Sequence, residues 1–224
     1  MSRPIALVIF DCDGVLIDSE VISATVLIEE AAAEGITLTR DYVRDHFLGR
    51  SFPTVAATIR TEFGVPLPGD FEARYRARLL ERFETGLRLT PGILGVLERL
   101  AVPRCVATSS SPPRLARSLA ISGLDPWFPH RFTASEVARG KPAPDLFLHA
   151  AARMGAAPAE CLVIEDSRPG IEAARAAGMQ AALYTGGSHM GGKGFDTGGD
   201  VVPFDDWADF GDLWPAILSE TVTR

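Results

Sequence analysis

Three short, continuous apolar runs constrain the fold of this 224-residue chain most strongly, because each ends abruptly in polar residues. The runs cover residues 5–10, 105–107 and 161–164, and they are followed by Asp-Cys-Asp, Thr-Ser-Ser-Ser and Glu-Asp-Ser. Such a run is typical of a strand that is buried on both faces, as in a parallel sheet. Because ligands bind beyond the carboxyl ends of parallel strands, the three polar clusters predict one shared site.

Helical patterns follow the predicted strands in the second half of the chain. They cover 92–100, 113–122, 145–153 and 169–177, and a weaker strand pattern follows at 180–184. Alternating strands and helices are typical of an α/β fold with a doubly wound, Rossmann-like parallel sheet. We therefore predict this fold class for the chain.

The stretch between the first and second predicted strands does not alternate in this way. It reads as helical throughout, with segments at 19–34, 40–47, 54–63 and 70–84. We predict a small inserted α-helical cap domain at 18–88, which divides the α/β core domain into residues 1–17 and 89–224. A glycine-rich segment at 186–199 is predicted to be a mobile loop.

Charge and cysteine content narrow the classes of function. The chain carries 22 lysines and arginines against 29 aspartates and glutamates, and its formal charge of −7 argues against nucleic acid or an anionic membrane as the main partner. Three scattered cysteines are too few for a disulfide framework or a zinc cluster. No apolar run approaches the roughly 18 residues of a membrane helix, and the first run is too short for a signal peptide. We expect a soluble, cytoplasmic protein.

The Asp-x-Asp pair at the end of the first predicted strand is the first candidate for chemistry. In an extended strand end, Asp11 and Asp13 point to the same side, while Cys12 turns back into the core and Gly14 lets the chain turn. Paired carboxylates in different environments can take different roles. Two solvated carboxylates at a strand end are the alternative interpretation.

Further candidate metal ligands and phosphate-binding groups lie after the other two predicted strands and in a turn between them. Glu165 and Asp166, with Asp11 and the backbone carbonyl of Asp13, would form a partial oxygen set of the kind that Mg²⁺ prefers. The hydroxyls and amides of the Thr-Ser-Ser-Ser run are donors suited to a phosphate, although such runs are commonly simple loops or helix caps. Lys141 adds a cation in a proline-rich turn, where a plain surface lysine is the alternative.

The order of these motifs resembles that of the haloacid dehalogenase superfamily. The resemblance is carried by FDCDGVLIDSE, VATSS, GKPAPDLF and VIEDSRPGIEAARAAGM, and it covers nearly the whole chain, most weakly in 18–88 and beyond residue 187. The residues of these motifs are most similar to those of the phosphatase and phosphomutase branch, which has a helical cap after the first motif. The metal-independent dehalogenases of the superfamily lack the second aspartate, which this chain has as Asp13.

The resemblance implies a role for each residue of the core motifs. Asp11 would be the nucleophile that forms an aspartyl-phosphate, and Asp13 would be the general acid and base. Thr108 and the Ser109 amide would bind the phosphoryl group, and Lys141 would stabilise its charge.

The resemblance also implies a cofactor and a class of substrate. Mg²⁺ would be bound by Asp11, the carbonyl of Asp13 and Asp166, with Glu165 nearby. The expected partner is a small phosphorylated metabolite, because the family's cap closes over the site and chooses the leaving group. The first motif, FDCDG-x-L-x-DSE, is most similar to that of bacterial sugar-phosphate phosphatases such as the phosphogluconate type, so a sugar phosphate is expected. In the cap, Glu20, Arg50 and Ser51 are the candidate substrate-binding residues. The arginines at 74, 76 and 78 are more distant candidates, and a solvated helix face is the alternative for them.

Three functions are compatible with these motifs. The first is a Mg²⁺-dependent phosphatase. The second is a phosphomutase resembling β-phosphoglucomutase, but Ser23 and Phe52 stand where that enzyme type has a histidine and a cap arginine. The third is a non-catalytic phospho-acceptor switch, which the length of the chain and its helical insert argue against. The four histidines show no spacing that suggests a metal site or a triad, so no role is predicted for them.

Overall fold

A parallel sheet lies at the centre of the protein. The computed structural model describes residues 4–191 and 194–219. Within these residues the sheet has six strands in the order β3-β2-β1-β4-β5-β6, and every neighbouring pair is parallel. The strands are β1 (Leu7–Phe10), β2 (Arg104–Thr108), β3 (Arg131–Thr133), β4 (Cys161–Glu165), β5 (Gln180–Tyr184) and β6 (Val202–Phe204). The predicted α/β fold class with a doubly wound parallel sheet is confirmed.

Helices cover both faces of this sheet, which explains why its central strands are apolar on both sides. The helices of the core are α5 (Ile93–Arg99), α6 (Pro112–Ser122), α7 (Asp145–Met154), α8 (Arg168–Ala176) and the short α9 (Phe210–Leu213). Val8 and Phe10 of β1 face the cluster that contains α5, α6 and α9. Leu7 and Ile9 face the opposite cluster with α7 and α8.

Four helices occupy the stretch between β1 and α5. They are α1 (Glu20–Ala33), α2 (Arg40–Phe47), α3 (Phe52–Phe63) and α4 (Phe71–Gly86), and they agree with the predicted helical segments to within two residues. Arg74 and Arg78 of α4 form ion pairs with Glu30 of α1, which joins these two helices along their length. The division of the chain into two domains at 18 and 88 stays a prediction.

The structure differs from the sequence-based expectations at both edges of the sheet. Strands β3 and β6 were not predicted, because each has only three residues and offers too little pattern. Pro203 in β6 suits an edge strand, where one side of the backbone needs no partner. None of the helices among the described residues is long and apolar enough to cross a membrane.

The first part of the glycine-rich segment 186–199 is a packed turn, where the sequence predicted a mobile loop. Gly187 and Met190 are buried, and the Met190 amide donates to the Gly187 carbonyl at 3.0 Å. Residues 192 and 193 of this segment lie outside the described residues. The turn before them therefore packs against the rest of the protein, and it reaches the site described below.

Candidate active site

The carboxyl ends of β1, β2 and β4 meet at one edge of the sheet, as predicted. A cavity of about 320 Å³ opens there, and the residues that line it include Asp11, Asp13, Thr108, Ser109 and Asp166. These residues are adjacent because β1 lies between β2 and β4, so their following loops share one edge. The structure thus brings the predicted core residues into a single site.

Lys141 is not among the residues that line the cavity, but it contacts Asp11, which lines it, and joins the strand ends around it. Its Nζ donates to Asp11 Oδ1 at 2.6 Å, to Glu165 Oε1 at 2.5 Å and to the Ala107 carbonyl at 3.1 Å. The residue is only 6% exposed. Burial disfavours its charge, but the two carboxylates outweigh burial and raise the pKa of Lys141. Lys141 is therefore a buried cation and not the solvated surface lysine that was the alternative interpretation.

Three carboxylates around Lys141 form a group that is able to hold a metal ion. Oxygen atoms of Asp11, Glu165 and Asp166 lie within 4.8 Å of one another, and all three residues are buried. Burial, together with the neighbouring carboxylates, raises the pKa of Asp11 and of Asp166 well above the usual range. Asp166 Oδ2 is buried and forms no hydrogen bond, although His189 Nε2 lies 2.9 Å from it. A divalent cation would satisfy this oxygen and relieve the repulsion, so the residues fit a hard metal ion.

The two oxygens of Glu165 are already engaged. Oε1 accepts from Lys141, while Oε2 accepts from the Asp166 amide, the Ser167 amide and the Ser167 hydroxyl at 3.1, 3.1 and 2.8 Å. Glu165 therefore orders the turn that carries Asp166 and anchors Lys141. A role near the metal ion, rather than as its main ligand, suits these contacts.

Gly14 is required at the turn after Asp13 for two reasons. Its φ of 77° lies in the left-handed region that favours glycine. A Cβ at this position would also overlap the carboxylate of Asp166. The turn that the sequence predicted at Gly14 thus brings the β1 loop directly against the β4 loop.

Asp13 lies in an environment unlike that of Asp11. Its Oδ1 accepts from the Ser19 hydroxyl at 2.6 Å and from Arg114 Nη2 at 2.7 Å, and its Oδ2 accepts from the Ser110 hydroxyl at 2.6 Å. Burial alone would raise the pKa of Asp13, but the Arg114 guanidinium and the two hydroxyls lower it overall. The two carboxylates thus line one cavity, as their spacing suggested, but they are held in different environments.

Two residues of the site were missed by the sequence analysis. Arg114 lies on α6 with one other arginine, Arg117, and nothing in its spacing distinguishes it. His189 lies in the turn of the glycine-rich segment, and its Nε2 is 2.9 Å from Asp166 Oδ2. The side chain of His189 is 8% exposed, and burial lowers its pKa. Contact between these residues and the motifs depends on the tertiary fold, which local sequence does not reveal.

The helices between β1 and α5 form the other wall of the cavity. Of the candidate substrate-binding residues, Glu20 and Arg50 line it. Ser51 does not, and its hydroxyl lies 3.1 Å from that of Thr54. Burial raises the pKa of Glu20 to about 8, and the nearby Asp13 adds to this effect. Of the three candidate arginines on α4, Arg76 lines the cavity.

The loop before α3 contacts the core loops directly. The Ser109 hydroxyl donates to the Gly49 carbonyl at 2.9 Å, and a Cβ at Gly49 would overlap the Ser167 side chain. Arg76 of α4 also donates to the Ser111 hydroxyl. These contacts join the helical stretch to the loops after β2 and β4 and close one side of the cavity.

Solved structures of other proteins share this fold. A conserved haloacid dehalogenase-like protein from Agrobacterium tumefaciens strain C58 is 33% identical, with a TM-score of 0.77 over 95% of this chain and 98% of that one. A HAD family hydrolase from Deinococcus radiodurans R1, solved with bound phosphate and sodium, is 29% identical, with a TM-score of 0.70 over 97% of this chain and 99% of that one. Both likenesses extend over the core and the helical stretch.

Sequence comparison identifies the same family. The 6-phosphogluconate phosphatase of Escherichia coli K12 is 31% identical over 191 residues, which cover 84% of this chain and 86% of that enzyme. The family model for haloacid dehalogenase-like hydrolases matches residues 5–178, which include every core motif of the site. The chain belongs to the haloacid dehalogenase-like hydrolase family, as an enzyme of the phosphoric monoester hydrolase class.

Proposed function

We propose that this protein is a Mg²⁺-dependent phosphatase that hydrolyses a small sugar phosphate through an aspartyl-phosphate intermediate. The observation that carries the proposal is the position of Asp11. This residue lines the cavity, its Oδ1 accepts a hydrogen bond from Lys141, and it belongs to the acidic group with Glu165 and Asp166. The phosphate in the Deinococcus relative and the activity named for the Escherichia coli relative support it.

In the first step, an Asp11 oxygen attacks phosphorus and the bond from phosphorus to the substrate oxygen breaks. Thr108 and the Ser109 amide hold the transferring phosphoryl group, and Lys141 offsets its charge. The negative phosphate of a bound substrate would raise the pKa of Asp13 and favour its protonated form. Asp13 then gives this proton to the substrate oxygen, so that the sugar leaves as an alcohol. Strands β1 and β2 are parallel neighbours, so the two aspartates after β1 lie beside Thr108 and Ser109 at the end of β2, which supports these roles.

In the second step, a water molecule attacks the phosphorus of the aspartyl-phosphate. Asp13 is ionised after the first step, and it accepts the proton of that water. The low pKa that Arg114 and the two hydroxyls give to Asp13 favours this basic form. Asp11 is released as a carboxylate, together with inorganic phosphate.

The residues that would hold the metal ion are Asp11, the backbone carbonyl of Asp13 and Asp166, with Glu165 beside them. When bound, Mg²⁺ would neutralise charge on the phosphoryl oxygens. We assign magnesium because the donors are oxygens, which hard cations of this kind prefer.

The helical stretch 18–88 is proposed to act as a cap that selects the leaving group. Its loop at Gly49 touches Ser109, and the cavity of about 320 Å³ suits a small molecule. Glu20 and Arg50 line the cavity and are the proposed contacts for the sugar. Ser51 is proposed to act indirectly, through the contact of its hydroxyl with that of Thr54 in α3.

Phosphate release from a panel of phosphorylated metabolites tests the proposal. Sugar phosphates, phosphogluconate, phosphoglycolate and nucleotides are each assayed with Mg²⁺ and with a chelator, and Asp11→Asn is the blank. We expect Mg²⁺-dependent hydrolysis of at least one sugar phosphate and no hydrolysis by the variant. Hydrolysis that persists in Asp11→Asn would contradict the nucleophile, and transfer of phosphate within the sugar without its release would favour a phosphomutase.

A further inference from the structure

Arg114 contacts the proposed acid and base from outside the four core motifs. It projects from α6, its side chain is 16% exposed, and its Nη2 donates to Asp13 Oδ1 at 2.7 Å. The same Nη2 donates to the Ser23 hydroxyl of α1 at 3.1 Å. The guanidinium also lies over the ring of Phe83 in α4, 5.8 Å from its centroid. One side chain therefore connects Asp13 to two helices of the cap.

The contacts of Asp13 distinguish its two oxygens. Oδ1 accepts two hydrogen bonds, from Arg114 and from Ser19. Oδ2 accepts one, from Ser110, which follows Thr108 and Ser109 in the loop proposed to hold the phosphoryl group. A hydroxyl can turn from donor to acceptor, whereas a guanidinium can only donate. Oδ1 is therefore fixed as an acceptor, and Oδ2 is the oxygen able to carry a proton.

We propose that Arg114 is a positioning residue that holds Asp13 by Oδ1 and leaves Oδ2 to transfer the proton. This inference rests on the proposed phosphatase function. In the first step, the proton moves from Asp13 Oδ2 to the substrate oxygen as the bond between that oxygen and phosphorus breaks. In the second step, the attacking water returns a proton to Oδ2. Throughout, the Oδ1 hydrogen bonds from Arg114 and Ser19 stay in place.

The proposal predicts that loss of Arg114 affects substrates according to their leaving groups. Phenyl and p-nitrophenyl phosphate have similar sizes, but phenolate is the more basic leaving group and needs a proton more. We expect Arg114→Met to reduce kcat/KM for phenyl phosphate about 10-fold more than for p-nitrophenyl phosphate, since general acid catalysis contributes roughly 10²- to 10⁴-fold. A purely structural or substrate-binding role would reduce both by the same factor, and that result would overturn the proposal.

The control is Arg117→Met, the same change one turn along α6. Arg117 pairs with Glu84 on the surface and is 51% exposed, so both aryl phosphates should be hydrolysed as by the unchanged protein. Circular dichroism checks that the variants fold. If Arg114→Met does not fold, Arg114→Lys replaces it, because it keeps the charge but lacks the planar group that reaches Asp13 and Ser23 together. A selective loss for phenyl phosphate is again expected, and equal losses would again overturn the proposal.

Two further variants separate this proposal from the proposed function. Asp11→Asn should abolish hydrolysis of both aryl phosphates, and Asp13→Asn should show the largest selective loss for phenyl phosphate. If either expectation fails, the proposed function is wrong. If both hold and Arg114→Met shows no selective loss, only the role of Arg114 is wrong.

Discussion

At the scale of single residues, the pKa of each buried carboxylate in the site depends on how close it lies to one of two cations, Lys141 and Arg114. Asp11 and Asp166 share Lys141 with Glu165, and burial raises the pKa of both aspartates. Arg114 forms an ion pair with Asp13 and lowers the pKa of that aspartate. Two aspartates two positions apart therefore differ in pKa because their neighbours differ. A cation bound beside Asp11 would lower the pKa of Asp11 and favour the carboxylate that the proposed nucleophilic attack requires.

Glu20 provides a pH-dependent prediction. Burial raises its pKa to about 8, from an ordinary value of 4.5, so the folded protein holds a proton that the unfolded chain loses between these values. Stability should therefore fall as pH rises through this window, and Glu20→Gln should not show this part of the decline. Urea denaturation of the metal-free proteins, between about pH 5 and about pH 8, measures the difference.

The matched control for this prediction is Glu98→Gln, which changes an exposed glutamate of α5. Its stability should follow the pH dependence of the unchanged protein. If the curves of Glu20→Gln and of the unchanged protein stay parallel over the whole range, the raised pKa of Glu20 is contradicted.

Some residues of the site could be predicted from the sequence and others could not. Asp11 and Asp166 directly follow apolar strands, and a strand end of this kind indicates where its side chains meet. Lys141 required the resemblance to a family, since a lone lysine in a turn carries no pattern. Arg114 and His189 come from a helix surface and a glycine-rich turn, and only the tertiary fold places them beside the carboxylates.

At the scale of elements, helix α8 is fitted closely against the end of β4. Gly170 lies in the first turn of α8, and a Cβ there would overlap the carboxylate of Glu165. Glu165 in turn holds Lys141 and the turn that carries Asp166. The absence of a side chain in one helical position thus permits the buried contacts of the whole acidic group.

Two glycine-to-alanine changes in helices should therefore have opposite effects. Gly170→Ala displaces Glu165 or α8, so we expect it to destabilise the protein by about 1–3 kcal/mol. Gly95 is exposed in α5 with nothing near its missing Cβ, so Gly95→Ala should stabilise by about 0.5–1 kcal/mol. Urea denaturation measures both, and effects of the same sign would show that the close fit of α8 is not a constraint.

The elements themselves were predictable where their pattern was long. The central strands β1 and β4 are continuous apolar runs, and the helices carry apolar faces that end at glycines such as Gly123 and Gly155. Strands β3 and β6 were not predicted, because three residues at a sheet edge are too few to show an apolar run or an alternation of apolar and polar residues.

At the scale of the whole molecule, the acidic site should couple metal binding to stability. The group of Asp11, Glu165 and Asp166 is buried and repulsive without a cation, and the folded protein alone assembles it. An ion that binds only the folded state stabilises it by about 2.7 kcal/mol at 100 times its Kd. We therefore expect Mg²⁺ to raise the unfolding midpoint with increasing concentration, and a chelator to reverse the effect together with the activity.

Thermal unfolding across a series of Mg²⁺ concentrations tests this expectation. Asp166→Asn is the control, because it removes a proposed ligand whose Oδ2 is buried and forms no hydrogen bond. Its midpoint should respond little to Mg²⁺. An equal response of both proteins would place the ion elsewhere.

The central claim is that Asp11 forms the covalent intermediate, and trapping that intermediate tests it most directly. The protein is mixed with Mg²⁺ and a substrate that it hydrolyses, quenched in acid within the first turnovers, digested and analysed by mass spectrometry. The account predicts phosphate on the peptide that contains Asp11, and none on that peptide in Asp11→Asn. Rapid turnover with phosphate on another residue, or with no phosphorylated peptide at all, would contradict it.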